Sequence, residues 1–370
     1  MRGSDIIKYL EDWAPKGIAW EKDNPGLQIG SVECEVKNVF LCLELTEEAL
    51  NEAVNKKCNL IITHHPLIFH PIKALNFTKD KNSQIIEKII KNDIVVYSAH
   101  TNLDFTKDGV SFQLAKVLGL NNIRFIKNQD SNQFKLVVFV PENALENLSR
   151  ALFDAGAGII GEYKKCSFRL EGKGTFEGSA KTNPSVGSAL KYEEVNEIRL
   201  EMIVASWKLK NVIASLLKNH PYEEPAYDIY PLSNENVNYG MGAAGELKNE
   251  MSPNTFLRYI KDKLNSNFRY CNGDGNKIKK VAVCGGSGSE LLPVAISEGA
   301  DAFITADIKY HTFHDAEGKI LLIDAGHYET EIFSLKAIKE KLEEFLADNK
   351  SKVRIEIYKG TTNPVHYYKN

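Results

Sequence analysis

His64 and His65 stand side by side in Ile61-Ile62-Thr63-His64-His65-Pro66, at the end of an apolar run that reads as a buried strand. Successive side chains of a strand point to opposite faces, so a histidine pair there is a poor way to build a core. At the C-terminal end of the strand, where the backbone turns, both rings can face one cleft. Imidazole is the commonest protein metal ligand, and open α/β sheets hold ligands in the crevice beyond their strand ends. Two other segments supply what such a pair would need. Ser98-Ala99-His100-Thr101-Asn102-Leu103-Asp104 follows the apolar run 94–97, and Asp324-Ala325-Gly326-His327-Tyr328-Glu329-Thr330-Glu331 follows the run 320–323. Each delivers a histidine and, four residues on, a carboxylate.

The candidate ligands are therefore His64, His65, Asp104, His327 and Glu331, with His100 as an extra ligand or a general base. Nitrogen and oxygen donors without thiolate suit Zn²⁺, Mn²⁺ or Fe²⁺. One zinc needs at most four protein ligands, so five or six point to two divalent ions sharing a bridging carboxylate. Such ions, about 3.5–4 Å apart, activate a water and stabilise both attacking and leaving oxygens. His327 and Glu331 lie one turn apart on one face of a helix expected to run on through residues 332–345. Asp324 is a candidate to hold a ligating histidine in its tautomer from behind, the plain alternative being that it caps a turn.

Cys284-Gly285-Gly286-Ser287-Gly288-Ser289-Glu290 links a strand to a helix, and the amides of Gly286, Ser287 and Gly288 are candidates for cradling an anion. The spacing matches neither a dinucleotide fingerprint nor a P-loop, and the plain alternative is a turn that lets strand meet helix. His70, His311 and His314 are expected on loops with no assigned role. His220 is expected to shape a helix-end turn, and Trp13 and Trp20 to anchor packing.

The elements that must position these residues read as a duplicated frame. Residues 37–63 overlay 279–305 without a gap, each copy reading strand, loop, amphipathic helix, strand. Such βαβ units imply parallel strands with helices on the faces. Between the halves the order strand, helix, strand, strand, helix, strand is ferredoxin-like, with a mobile loop expected from Gly172 to Lys191. The expected layout is 1–130 for the first half of an α/β frame, 131–235 for an inserted α+β domain and 236–370 for the second half.

Composition narrows the class. The chain has 370 residues and a net charge of -3, so no basic field advertises nucleic acid as a partner. No apolar stretch approaches the roughly 20 residues of a membrane span. The six cysteines are scattered without a Cys-x-x-Cys pair, which favours a reduced, cytoplasmic setting.

At these residues the chain resembles the Nif-three-like family of dinuclear-metal proteins, often labelled GTP cyclohydrolase 1 type 2 homologues. The matching stretches are Trp13-Ala14-Pro15, Gly26-Leu27-Gln28-Ile29-Gly30, Ile62-Thr63-His64-His65-Pro66-Leu67, His100-Thr101-Asn102-Leu103-Asp104, Thr305-Ala306-Asp307-Ile308-Lys309-Tyr310-His311 and 324–331. The insert, ending in His220-Pro221-Tyr222-Glu223-Glu224-Pro225-Ala226-Tyr227, is similar to the CutA-like, P-two-like middle domain of long bacterial members. The resemblance implies that His64, His65, Asp104, His327 and Glu331 hold two metals, and that the protein forms a ring-shaped homohexamer with the sites facing an internal cavity. Glu44 stands where the family more often shows Asp, and Pro25 replaces a small apolar residue; neither is expected to touch a ligand.

Two functions follow as expectations. The first is a metal-dependent hydrolase acting on a nucleotide-like or cyclic-amide small molecule, with GTP as the named candidate. The alternative is a metal-handling or regulatory interaction protein whose dinuclear site is not catalytic.

Overall fold

The computed structural model describes residues 1–368. The chain divides into two compact units, Met1–Asn128 together with the chain from Tyr239 onward, and Gln129–Asn238.

The first unit is built from the two copies of the βαβ pattern. In the first copy the buried apolar strand Asn38–Cys42 leads to the helix Glu47–Asn55 and the strand Leu60–Thr63. Thr46 caps the helix, its Oγ1 accepting from Ala49 N at 3.2 Å, and Glu47 and Glu48 complement the helix dipole in the first turn. The second copy is the strand Ile278–Ser287, a turn of 3₁₀ helix at Ser289–Leu291, the helix Leu292–Ser297 and the strand Ala302–Ala306. In the parallel pairs Leu41 lies opposite Ile62 and Val283 opposite Ile304, the positions that the gapless overlay equates. Each copy then adds a third parallel strand, Val95–Ser98 or Leu321–Asp324.

The copies differ at their sheet edges. The first sheet has the order Gly26–Ile29, Val95–Ser98, Leu60–Thr63, Asn38–Cys42, Arg354–Ile357. The second has the order Arg269–Cys271, Leu321–Asp324, Ala302–Ala306, Ile278–Ser287, Ala243–Met251, Asn121–Arg124. Each sheet takes an edge strand from the other half of the chain, so the halves are interlocked. Phe40, Leu41, Ile61, Ile62, Phe303 and Ile304 are fully buried, each contributing roughly 1.5–3 kcal/mol by leaving water. These packed central strands fix where their C-terminal ends lie.

The second unit is an antiparallel sheet in the order Tyr227–Pro231, Gln133–Val140, Tyr192–Ala205, Phe168–Glu177. The helices Leu145–Asp154 and Ser206–Asn219 contribute Leu148, Leu152, Val212 and Leu216 to one core with Val138 and Leu200 of the strands. The hairpin departs from the expected loop over 172–191: the strand continues through Gly172 and Gly174 to Glu177, opposite Tyr192. Glycine there is clearance within a strand, since a Cβ at Gly174 would run into the Glu197 carboxylate. His220 Nε2 donates to Phe139 O at 2.9 Å while its Nδ1 accepts from Tyr222 N at 3.1 Å, so both ring nitrogens shape the turn.

Candidate metal centre

Three strand ends of the first unit converge. His64 and His65 follow Leu60–Thr63, and both their amides donate to Leu43 O, at 3.1 and 2.9 Å. His100 and Asp104 bracket the one-turn helix Thr101–Asp104 after Val95–Ser98. His327 and Glu331 are the ends of the short helix His327–Glu331 after Leu321–Asp324. The expected long helix is broken at Ile332–Phe333, and a separate helix runs from Ser334 to Asp348. The one-turn spacing of the pair is kept, with His327 Nε2 3.1 Å from Glu331 Oε1.

Each of the four imidazoles is held by its Nδ1, leaving Nε2 to the cluster. His64 Nδ1 bonds Ala99 O at 2.7 Å, His65 Nδ1 bonds Glu44 Oε1 at 2.8 Å, His100 Nδ1 bonds Asp23 Oδ1 at 2.7 Å and His327 Nδ1 bonds Asp307 Oδ2 at 2.6 Å. A neutral imidazole that donates from Nδ1 carries its lone pair on Nε2. Ring centroids lie 4.8 Å apart for His64–His65, 5.4 Å for His64–His100 and for His65–His100, and 5.3 Å for His65–His327. Glu331 meets three rings: its Oε1 is 3.7 Å from His64 Nε2, and its Oε2 is 3.2 Å from His65 Nε2.

Charge in this cluster is unbalanced by burial and rebalanced by pairing. Burial pushes the His65 and His327 imidazoles down, but Glu331, with Glu44 or Asp307 behind each ring, raises them to about 10 and about 9. Burial would raise Glu331, yet His64, His327 and His65 hold it well below the usual carboxylate range. Asp23 also resists burial, because hydrogen bonds from His100 and Thr101 keep it at about 2. Asp104 goes the other way, raised first by burial and further by the Glu331 charge, against the pull of His64.

The donor set fits metal ions. Among the described residues, the buried side-chain atoms without a hydrogen-bond partner include His64 Nε2, Asp104 Oδ1 and Glu331 Oε2 of this cluster. His64 Nε2 and Asp104 Oδ1 lie 3.6 Å apart, too far for a hydrogen bond. Buried polar atoms without partners are rare, and here His64 Nε2 lies between Asp104 Oδ1 at 3.6 Å and the Glu331 carboxylate at 3.7 Å. Among the described residues two groups could hold an ion, His64 with His65 and His100, and His65 with His327 and Glu331.

Several residues sit otherwise than expected from sequence. Glu44 does touch a candidate ligand, contrary to the expectation for that departure from the family pattern. Asp307, rather than Asp324, contacts His327. Asp324 stands one step back, its Oδ2 accepting from Arg269 Nη2 and from Ile308 N at 3.2 Å. It thereby fixes the backbone beside Asp307, which adopts the left-handed φ of 55°. In the glycine loop, Gly285 N donates to Ser111 Oγ at 3.2 Å and Gly286 N to Thr330 Oγ1 at 3.0 Å, so of the three candidate anion-binding amides that of Gly286 is spent within the protein. What Gly286 provides is space: a Cβ there would strike Glu331 Oε1 and lie 3.2 Å from His327 Nε2. His311 and His314 are exposed on the helix Tyr310–Ala316, and Trp20 is half-exposed. Sequence reading missed Asp23 and Asp307 altogether; the signal for Asp307 was its place in the stretch Thr305–His311.

The Duf34/NIF3 (NGG1p interacting factor 3) family model matches residues 1–364. A Bacillus subtilis protein named "GTP cyclohydrolase 1 type 2 homolog" is 40% identical over 367 residues, covering 98% of each chain. A Halalkalibacterium halodurans protein of the same name is 38% identical over 366 residues, again 98% of each. The crystal structure of a Bacillus cereus protein related to NIF3 superposes with a TM-score of 0.84 at 38% identity, covering 100% of this chain and 99% of that one.

Proposed function

Because the chain belongs to the Duf34/NIF3 family, we propose that it is a dinuclear-metal hydrolase acting on a nucleotide-like or cyclic-amide substrate, with GTP the first candidate. The observation that carries this reading is the clustering of the buried atoms His64 Nε2, Asp104 Oδ1 and Glu331 Oε2, none with a hydrogen-bond partner, around His64 and His65. His64 and Asp104 would hold one divalent ion, His65 and His327 the other, and Glu331 would reach both, since its two oxygens already divide among the three histidines. Zn²⁺, Mn²⁺ and Fe²⁺ suit these donors. Bound there, such ions would supply electrophilic stabilisation of developing negative charge and a more acidic water.

The chain's own residues set the rest. Asp307 and Glu44 keep His327 and His65 in the tautomer that offers Nε2. Gly286 leaves room for the Glu331 carboxylate. With Asp104 beside His64, we assign His100 to proton transfer: Asp23 holds its Nδ1, so Nε2 can take up and return a proton at the substrate.

The remaining parts of the reading are an insert at 131–235 between frame halves at 1–130 and 236–370, a homohexamer and a cytoplasmic setting. No helix among the described residues is long and apolar enough to cross a membrane.

The test is mass spectrometry of a nucleotide panel that includes GTP, incubated with Mn²⁺- or Zn²⁺-loaded protein and with His65→Ala as control. Gain of one water or loss of formate, absent in the control, supports the cyclohydrolase-like reading. Loss of phosphate makes the protein a metallophosphatase. Unchanged nucleotides with two ions bound favour metal handling or regulation instead.

A further inference from the structure

The C-terminal segment reaches the metal centre without contributing a ligand. The strand Arg354–Ile357 runs parallel to Asn38–Cys42, and Tyr358 N donates to Leu41 O at 2.9 Å. The chain therefore leaves the sheet at the strand-end edge that carries Glu44. Thr362 Oγ1 then donates to Glu44 Oε2, while the other oxygen of Glu44 takes His65 Nδ1 at 2.8 Å. The next residue grips the opposite half: Asn363 Nδ2 donates to Glu329 Oε1 at 3.0 Å. Glu329 lies between His327 and Glu331 on their short helix.

The surrounding backbone prepares this grip. Asn363 N donates to Thr361 Oγ1 at 3.2 Å and Val365 N to Asn363 Oδ1 at 3.0 Å, a tight local turn. Thr361 and the residues from Pro364 to Tyr368 are exposed, whereas Thr362 and Asn363 are partly buried. Two consecutive side chains of the tail thus tie the loop behind His65 to the helix that bears His327 and Glu331. His65, His327 and Glu331 are one of the two groups whose ligand atoms can share an ion. The tail's side-chain hydrogen bonds to the centre run to Glu44 and Glu329.

Resting on the dinuclear reading above, we propose that Thr362 and Asn363 are positioning residues, a strap that sets the spacing of His65 from the His327–Glu331 helix and so governs one of the two ion positions. The strap acts through Glu44 and Glu329 and touches no ion itself. Carboxylates behind metal-ligating histidines are typically worth roughly 10–100-fold in metal affinity, and the strap holds one of these in place.

The experiment is Zn²⁺ titration against a chelating dye for the wild type, the double variant Thr362→Val/Asn363→Ala and the single variant Thr362→Ser, with thermal melts to confirm folding. One of two equivalents should weaken by roughly 10–100-fold in the double variant, the other, which shares only Glu331 with it, weakening less, while Thr362→Ser keeps both. Equal weakening of both equivalents, no weakening, or a Thr362→Ser protein as weak as the double variant would overturn the proposal. A wild type that takes up fewer than two ions sinks the dinuclear reading instead. The strap is then judged in metal-free protein, where nitrogen-15 NMR of the imidazoles reads exchange of the His65 Nδ1 proton with water. Faster exchange in the double variant supports the strap, and unchanged exchange overturns it.

Discussion

Glu44 accepts from His65 Nδ1 at 2.8 Å, so the acid after the first strand orients a histidine that follows the second. Neighbouring parallel strands place their C-terminal ends side by side, and Cys42 lies opposite Thr63 in the pairing. Removing the carboxylate in Glu44→Ala leaves His65 free to rotate and to shift its proton to Nε2. Metal affinity is expected to fall roughly 10–100-fold with the fold intact, read by chelator competition and circular dichroism. Wild-type affinity in that variant would show that Glu44 is a bystander.

Glu331 is the group on which both halves of the site depend. It is 3% exposed in its side chain and lies within 3.7 Å of Nε2 in His64, His65 and His327. Glu331→Ala is expected to lose at least one metal equivalent while the protein still folds, because the frame is held by apolar strands. Full metal content in the purified variant, measured by elemental mass spectrometry, rules out a bridging role.

Gly286 adopts φ +63°, and a Cβ there would strike Glu331 Oε1. Gly286→Ala combines left-handed strain, about 1–3 kcal/mol, with displacement of that carboxylate. Lowered melting temperature together with lost metal is expected. A variant that binds metal as the wild type does would show that the loop yields.

The pH dependence has a definite sign. In the metal-free protein His65 and His327 are raised to about 10 and about 9, so both are protonated at neutral pH. Metal uptake must displace those protons. Affinity should therefore climb from pH 7 toward 9–10, and calorimetry in buffers of different ionisation enthalpy should report proton release. The same raised values stabilise the metal-free fold fully below an ordinary histidine pKa of about 6.5, and that contribution is lost as pH rises through 9–10. Uptake without proton release would mean that the imidazoles are already neutral.

His100 is expected to separate binding from turnover. His100→Gln should keep both metal equivalents and lose product formation by about 10²–10⁴-fold, the range for removal of a general acid–base group. Loss of a metal equivalent would instead make His100 a ligand alongside His64 and His65.

Much of this architecture was legible in the sequence because it rests on local, repeated patterns. Apolar runs followed by histidine pairs or His-x-x-x-acid segments mark strand ends, and the gapless overlay of 37–63 on 279–305 reappears as equivalent strand registers. What stayed hidden depends on distant chain. Asp23 meets His100 across 77 residues and Thr362 meets Glu44 across 318, separations that no spacing rule spans. The glycine loop reads as a source of amides at Gly286, Ser287 and Gly288, but folding spends that of Gly286 on Thr330 and uses the residue for clearance. In the second unit, Gly172 and Gly174 looked like loop because the alternation of an exposed edge strand carries little apolar signal.

The most direct test is the number of ions per chain after loading with Zn²⁺ or Mn²⁺ and exhaustive dialysis, counted by elemental mass spectrometry against protein concentration. Two equivalents in the wild type, with a loss in both His65→Ala and Glu331→Ala, is the result expected of a centre built from both halves of the chain. A single equivalent that survives either substitution would contradict it.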